Sequence, residues 1–420
     1  MKKILTLFVL AGVITFTACK EKTPTPVVEV VTENEVVSGL LSADATWTAD
    51  KIYELASKVV VEAGVTLTIE PGTIIKGRPG VGSLATALII ARGGKLIAQG
   101  TVAKPIIFTS TLDNIKVGEL MGTSLTKDDN SKWGGLIVLG KAPISAKVGD
   151  TEAQIEGIPA DDTFGLYGGT DAADNSGILT YVSSRHGGAL IGDGNEINGI
   201  TLGGVGSGTT MDHIEVYATF DDGIEFFGGT VNLTNVIVSY QGDDGLDIDQ
   251  NYAGTVTNFV VEHGNTDSTD EGLEIDGPEN ATYSTGLFTL KNGTIMSLGG
   301  IDGGSPADLK SKAQGNIENV VFTGYASGND LIKIAASYDD ANACANKADA
   351  FTQFIGANAT LKLIASTFAG VEVYTTSTTC AVSAADQTAA DANAISDAAA
   401  TGADVTVFAD WTAASISGTL

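Results

Sequence analysis

Three copies of one short motif constrain what this chain can fold into. They are Asp221-Asp222-Gly223-Ile224-Glu225-Phe226, Asp243-Asp244-Gly245-Leu246-Asp247-Ile248-Asp249 and Asp270-Glu271-Gly272-Leu273-Glu274-Ile275-Asp276. Each reads acid, acid, glycine, aliphatic, acid, apolar. Asp222 and Asp244 are 22 residues apart, and Asp244 and Glu271 are 27. A repeat in the twenties is one turn of a solenoid, whose turns bury their apolar faces only by stacking on one another. A second ladder runs beside the first, with Asn235, Asn258, Asn292 and Asn319 each set between two short apolar runs and His213 in the equivalent place. Asn suits such bends because it tolerates left-handed backbone angles and bonds neighbouring amides. Strand, Asn bend, strand, acidic Gly turn makes one rung of a right-handed parallel β-helix, so the expected class is all-β.

Composition agrees. The 420 residues include 52 Gly and 9 Pro, and only 18% are charged, which describes a turn-dense β chain rather than a disordered one. A formal net charge of −28 excludes a nucleic-acid binder, which needs Lys and Arg against phosphates, and opposes contact with an anionic membrane surface.

The chain divides into four stretches. Residues 1–18 read as an export signal: Lys2 and Lys3 precede an apolar run, 4–16, too short to span a bilayer. Thr17-Ala18-Cys19 resembles a lipobox, with Phe16 bulkier than the usual aliphatic residue, and makes Cys19 the expected lipidation site. That reading places the protein at the outer membrane or cell surface, membrane-attached through its lipid; the alternative is an ordinary secretory peptide with an incidental Cys. Residues 19–38, with Pro24, Pro26 and several Glu, read as a flexible tether. Residues 39–338 are the expected β-helix, with polar inserts at 113–129 and 146–171 on one side of the coil. Residues 339–420 are Ala-rich, with 381–404 a short helix or loop and Phe408-Ala409-Asp410-Trp411 an expected end cap. Cys344 and Cys380 are expected to form a disulfide in an exported chain; zinc is disfavoured because no His lies near either.

Ala63-Gly64-Val65-Thr66-Leu67-Thr68-Ile69-Glu70-Pro71-Gly72-Thr73, Gly94-Lys95-Leu96-Ile97-Ala98-Gln99-Gly100-Thr101, Lys104-Pro105-Ile106-Ile107-Phe108-Thr109-Ser110 and Trp133-Gly134-Gly135-Leu136 follow one another. With Asp174-Asn175-Ser176-Gly177 and Asn195-Glu196-Ile197-Asn198-Gly199, this string resembles a family of exported β-helix proteins common in Bacteroidetes, in the pectin-lyase-like superfamily. The resemblance covers most of residues 47–275. It implies the fold and an envelope location, and little about activity.

Strand parity turns Leu246 and Ile248 inward and Glu225, Asp247, Asp249, Glu274 and Asp276 outward. Rungs stack about 4.8 Å apart, so a column of carboxylates invites a divalent cation, with Ca²⁺ accepting several of them in loose geometry. No Lys or Arg occurs between His186 and Leu290 to serve instead. The bland alternative is a solvated acidic face. Gln241-Gly242-Asp243-Asp244 with His263-Gly264 is similar to part of the polygalacturonase pattern, which makes Asp222, Asp243 and Asp244 candidate catalytic carboxylates. No Arg follows the Asp pair, a departure from that pattern. A lyase base is available only in Arg185-His186. Three function classes remain: a non-catalytic surface protein binding glycan or a surface partner, a polysaccharide-degrading enzyme, and a structural subunit of an envelope assembly.

Overall fold

The computed structural model describes residues 34–147, 151–159, 162–192, 194–264, 269–299 and 304–420. The signal segment, Cys19 and the tether up to residue 33 lie outside them. The rest is a right-handed parallel β-helix, and among the described residues its α-helices all lie near the C-terminus.

Each coil has three faces. Sheet A is built from four-residue strands such as Ile224–Phe227 and Leu246–Asp249, which stack parallel and in register. Each is followed by a longer strand, Asn232–Ser239 or Thr255–His263, bent in its middle. The first arm of the longer strand forms sheet B and the second forms sheet C. The bend falls at Asn235, Asn258, Asn292 and Asn319, all with φ of 53–56°. His213 holds the same conformation, and so does Tyr181, which the sequence pattern did not single out. The Asn258 amide donates to Asn235 Oδ1 at 2.7 Å and that of Asn319 to Asn292 Oδ1 at 2.9 Å, so these two bends are each braced by the one before.

The core follows from two-residue periodicity. Ile224, Leu246 and Leu273 form one inward column of sheet A, and Phe226, Ile248 and Ile275 another, none of them accessible to solvent. Burying each such side chain contributes about 1.5–3 kcal/mol, so stacking supplies what a single coil cannot.

Both ends differ from expectation. The first strand is Glu35–Leu41, inside the stretch expected as tether; it bends at Gly39 (φ 72°) and pairs with Ile52–Val61. At the other end Leu361–Ile364 and Gly370–Tyr374 add a coil beyond residue 338. The helices Ala350–Phe354 and Ala384–Asn393 close the core there. Gln387 of the second helix accepts from Val373 N and donates to Val371 O, blocking the last strand of sheet A from further pairing. A disulfide joins Cys344 to Cys380 within this closure.

Phe408 and Trp411 do not cap the end. They pack on the outer side of sheet C against Tyr217, Ile237, Tyr240 and Val260. Ile237 and Val260 point outward, and the returning C-terminal segment keeps them from water. Its Ala414 amide donates to Glu215 Oε1 at 3.1 Å; this fully buried carboxylate also meets Arg185 at 3.4 Å. The two inserts also part company. The first is tied to sheet C, where Lys76 donates to Asp113 O and Ile115 O and Arg185 to Leu120 O. The second covers the early part of sheet A, packing Ile155, Ile158 and Tyr167, together with Ile144 just before it, on Ile137 and Leu139.

Candidate functional site

One outward column of sheet A changes character along the helix. Register pairs Val60 with Ile89, Ile89 with Ile137 and Ile137 with Thr201. It then pairs Thr201 with Glu225, Glu225 with Asp247 and Asp247 with Glu274, and continues through Asp308 to Lys333. The apolar part lies under the second insert. The acidic part begins where that cover ends, and it is not a solvated face: Glu225 is 6% exposed and Asp247 9%.

Beside it stands a shorter column from the Gly turns. Asp244 N donates to Asp222 Oδ1 at 3.0 Å, and Glu271 N to Asp244 Oδ1 at 2.6 Å. Asp222 and Asp244 therefore brace the turn one coil further on, a structural duty that explains the acid directly before the Gly in the first two motifs; in the third, Glu271 accepts from the Ser305 hydroxyl instead. The Gly cannot be replaced: a Cβ at Gly223 would come within 2.5 Å of Gly245 O, and one at Gly245 within 2.5 Å of Gly272 O.

The two columns merge. Asp222, Glu225 and Asp247 bring one carboxylate oxygen each to within 4.8 Å of one another; Asp221, Asp222 and Asp243 form a second such group, and Asp244, Glu271 and Glu274 a third. Burial pushes Asp222, Glu225, Asp244 and Asp247 well above the carboxylate range, and neighbouring negative charge adds to it. The same causes raise Asp221 and Asp249 to about 8 and Asp243 to about 6.

Counter-charge reaches only part of this array, and from a direction the sequence did not suggest. Lys310 pairs with Glu274 and lies 3.6 Å from Asp276, and Lys333 lies 2.7 Å from Glu271. Both lysines come from later coils, far along the chain but adjacent in the stack. Burial opposes the Lys310 charge, yet Glu274 and Asp276 hold its pKa above the ordinary value. The five-residue set expected for a cation is thereby divided. Glu225 and Asp247 join Asp222, Glu274 and Asp276 go to Lys310, and Asp249 lies beside Asp276 and Glu279 in a groove of about 460 Å³.

Among the described residues, no Lys or Arg nitrogen is in ion-pair contact with Asp222, Glu225 or Asp247. Asp247 Oδ1 is buried without a hydrogen-bond partner. Asn198 donates to Glu225 Oε2 at 2.5 Å, and its own buried Oδ1 is likewise unpartnered. The three carboxylates of Asp222, Glu225 and Asp247 are hard oxygen donors, the kind that suits Ca²⁺. Asn198 and Glu156, which burial raises to about 7 beside Glu225, were not singled out as site residues from sequence, because Asn198 comes from the turn of the adjacent coil and Glu156 from the second insert.

The other catalytic candidates lie apart from this group. Arg185 is consumed by Ser183, Leu120 and Glu215 on sheet C, and His186 Nδ1 lies 2.7 Å from Asp129 O. His263 is fully buried with Nδ1 2.9 Å from the Tyr325 hydroxyl, and burial lowers its pKa to about 4.

No curated protein and no solved structure matches the chain. A family model for the pectate-lyase-like β-helix domain matches residues 39–416, nearly the whole described helix with its closure. The chain belongs to the pectate-lyase-like β-helix domain family.

Proposed function

We propose that this is a lipid-anchored envelope protein whose sheet A is a binding face for glycan or a surface partner, stiffened by Ca²⁺, and that it is not an enzyme. The observation that carries the reading is the Asp222–Glu225–Asp247 group: three buried carboxylates within 4.8 Å, with no cationic side chain in contact and Asp247 Oδ1 unpartnered. Three like charges at that spacing repel by about 1 kcal/mol per pair in water and several-fold more when shielded from it. A bound Ca²⁺ supplies the missing positive charge. Residues 1–18 and Cys19 support export and lipid attachment at the outer membrane or cell surface. Asp222 and Asp244 speak against catalysis, since each already accepts a backbone amide.

The test is thermal unfolding of the purified chain in millimolar Ca²⁺ and in EDTA. A cation at about a hundred times its Kd adds about 2.7 kcal/mol. A clear rise in Tm that Glu225→Gln with Asp247→Asn removes supports the site; equal Tm in both buffers refutes it.

One observation favours an enzyme instead. Asp221 at about 8 and Asp243 at about 6 are neighbours, one protonated and one ionised near pH 7, as an acid–base pair requires. Reducing-end release from polysaccharides that Asp243→Asn abolishes would establish that reading.

A further inference from the structure

We infer a second binding site, on the opposite side of the coil from the acidic column: a groove along the Asn ladder that takes a strand of neutral polysaccharide lying parallel to the helix axis. The groove holds about 580 Å³. One wall is the edge of sheet B, with Thr234, Thr257 and the four ladder asparagines; the other is the returning C-terminal segment, residues 401–404 and Val407.

Its chemistry is hydroxyl and amide. Thr234 and Thr257 stack in register, and Thr210, Asn232, Thr255, Thr289 and Asn316 continue the polar lattice on the same face. Among the described residues, no hydrogen-bond partner faces the hydroxyl of Thr234 or Thr257. The ladder itself is interrupted at the same place. Asn258 Oδ1 accepts the Asp404 amide at 2.7 Å, so it is not taken by Asn292, whose Nδ2 is left open at the groove. Hydroxyls that donate and accept, beside amides that do both, match the hydroxyl pairs of a sugar ring. Repetition every coil, about 4.8 Å, matches a polymer rather than a single sugar.

The first two ladder positions hold aromatic rings instead of Asn. Tyr181 and His213 stack at 4.2 Å with left-handed backbones, a conformation that Asn adopts more readily. Trp411 of the C-terminal segment supports both edge-on. The only charged group in the lining is Asp404, whose carboxylate is occupied by Thr406 N and Oγ1. Register sets Asp212 beside Thr234 and Lys291 beside Thr257, one anion and one cation flanking the pair, so it is the net charge of −28 that disfavours an acidic glycan and not a neutral one.

The test is affinity electrophoresis of the purified chain in native gels cast with galactomannan, xyloglucan, arabinoxylan or polygalacturonate, all in EDTA. Retardation is expected on at least one neutral polymer. It should weaken roughly tenfold in the double variant Thr234→Val with Thr257→Val, which keeps the branched shape and loses two hydroxyls. An unchanged Tm confirms that this variant folds. No retardation on any neutral gel, retardation on polygalacturonate alone, or a double variant that binds like the parent each overturns the site. Because EDTA is present throughout, failure of the Ca²⁺ site leaves this result unaffected.

Discussion

Asp222 accepts the backbone amide of Asp244 at 3.0 Å, one coil further along the helix. The carboxylate is buried and shares its surroundings with Asp221, Asp243 and Glu274, which burial and repulsion make costly for a charge. Its bracing duty needs an acceptor oxygen and not a charge. Asp222→Asn should therefore keep the bond, relieve repulsion and leave stability in EDTA equal or higher. Asp222→Ala should lose about 1–3 kcal/mol through the orphaned Asp244 amide. Urea unfolding of the two variants separates acceptor from charge.

Stability should fall as pH rises when no cation is present. Asp221 and Asp249 titrate at about 8 in the folded chain, Glu156 and Glu271 at about 7 and Asp243 at about 6, all above their ordinary values because of burial. The folded state thus holds more protons than the unfolded one between about pH 4 and pH 8. The stabilisation is complete below the unfolded pKa values and is lost as pH climbs through the folded ones. In EDTA, Tm at pH 5 should exceed Tm at pH 8. Millimolar Ca²⁺ should flatten the profile by replacing the protons.

The fold could be read because its signals are local. The period of the acid-Gly motif, the Asn bends and the alternation of Leu246 and Ile248 each lie within one coil, and the structure places them as parity requires. The site was legible only in part. Parity put Glu225 and Asp247 on the outer side, but outer does not mean exposed. What covers or neutralises them comes from elsewhere in the chain: Glu156 from the second insert, Asn198 from the turn of the adjacent coil, Lys310 and Lys333 from following coils. The return of Phe408 and Trp411 along sheet C was hidden for a related reason. Ile237 and Val260 look like core residues in any apolar run, and nothing in the run says which face they take.

Lys310 is the natural competitor of a cation at the C-terminal end of the acidic column. It is paired with Glu274 and near Asp276, and all three are partly exposed, so the pair stabilises by about 1 kcal/mol at most. Lys310→Met should lower Tm slightly in EDTA and enlarge the rise produced by Ca²⁺, since two more carboxylates become available. A Ca²⁺ effect unchanged by the substitution would separate Glu274 and Asp276 from the cation site.

Trp411 ties the C-terminal segment to the helix. It is fully buried, its indole N–H donates to Val407 O at 3.0 Å, and its ring meets both Tyr181 and His213 edge-on. Trp411→Ala should cost about 3–5 kcal/mol if the whole chain unfolds as one unit. Solenoids unfold by neighbouring turns, and this segment contacts the stack from outside, so it can also detach first. In that case global unfolding barely moves while amides of residues 403–420 lose protection from hydrogen exchange. Exchange measured beside urea unfolding distinguishes the two. Detachment would also remove one wall of the Asn-ladder groove, so Trp411→Ala should weaken neutral-glycan retardation even where the β-helix itself stays folded.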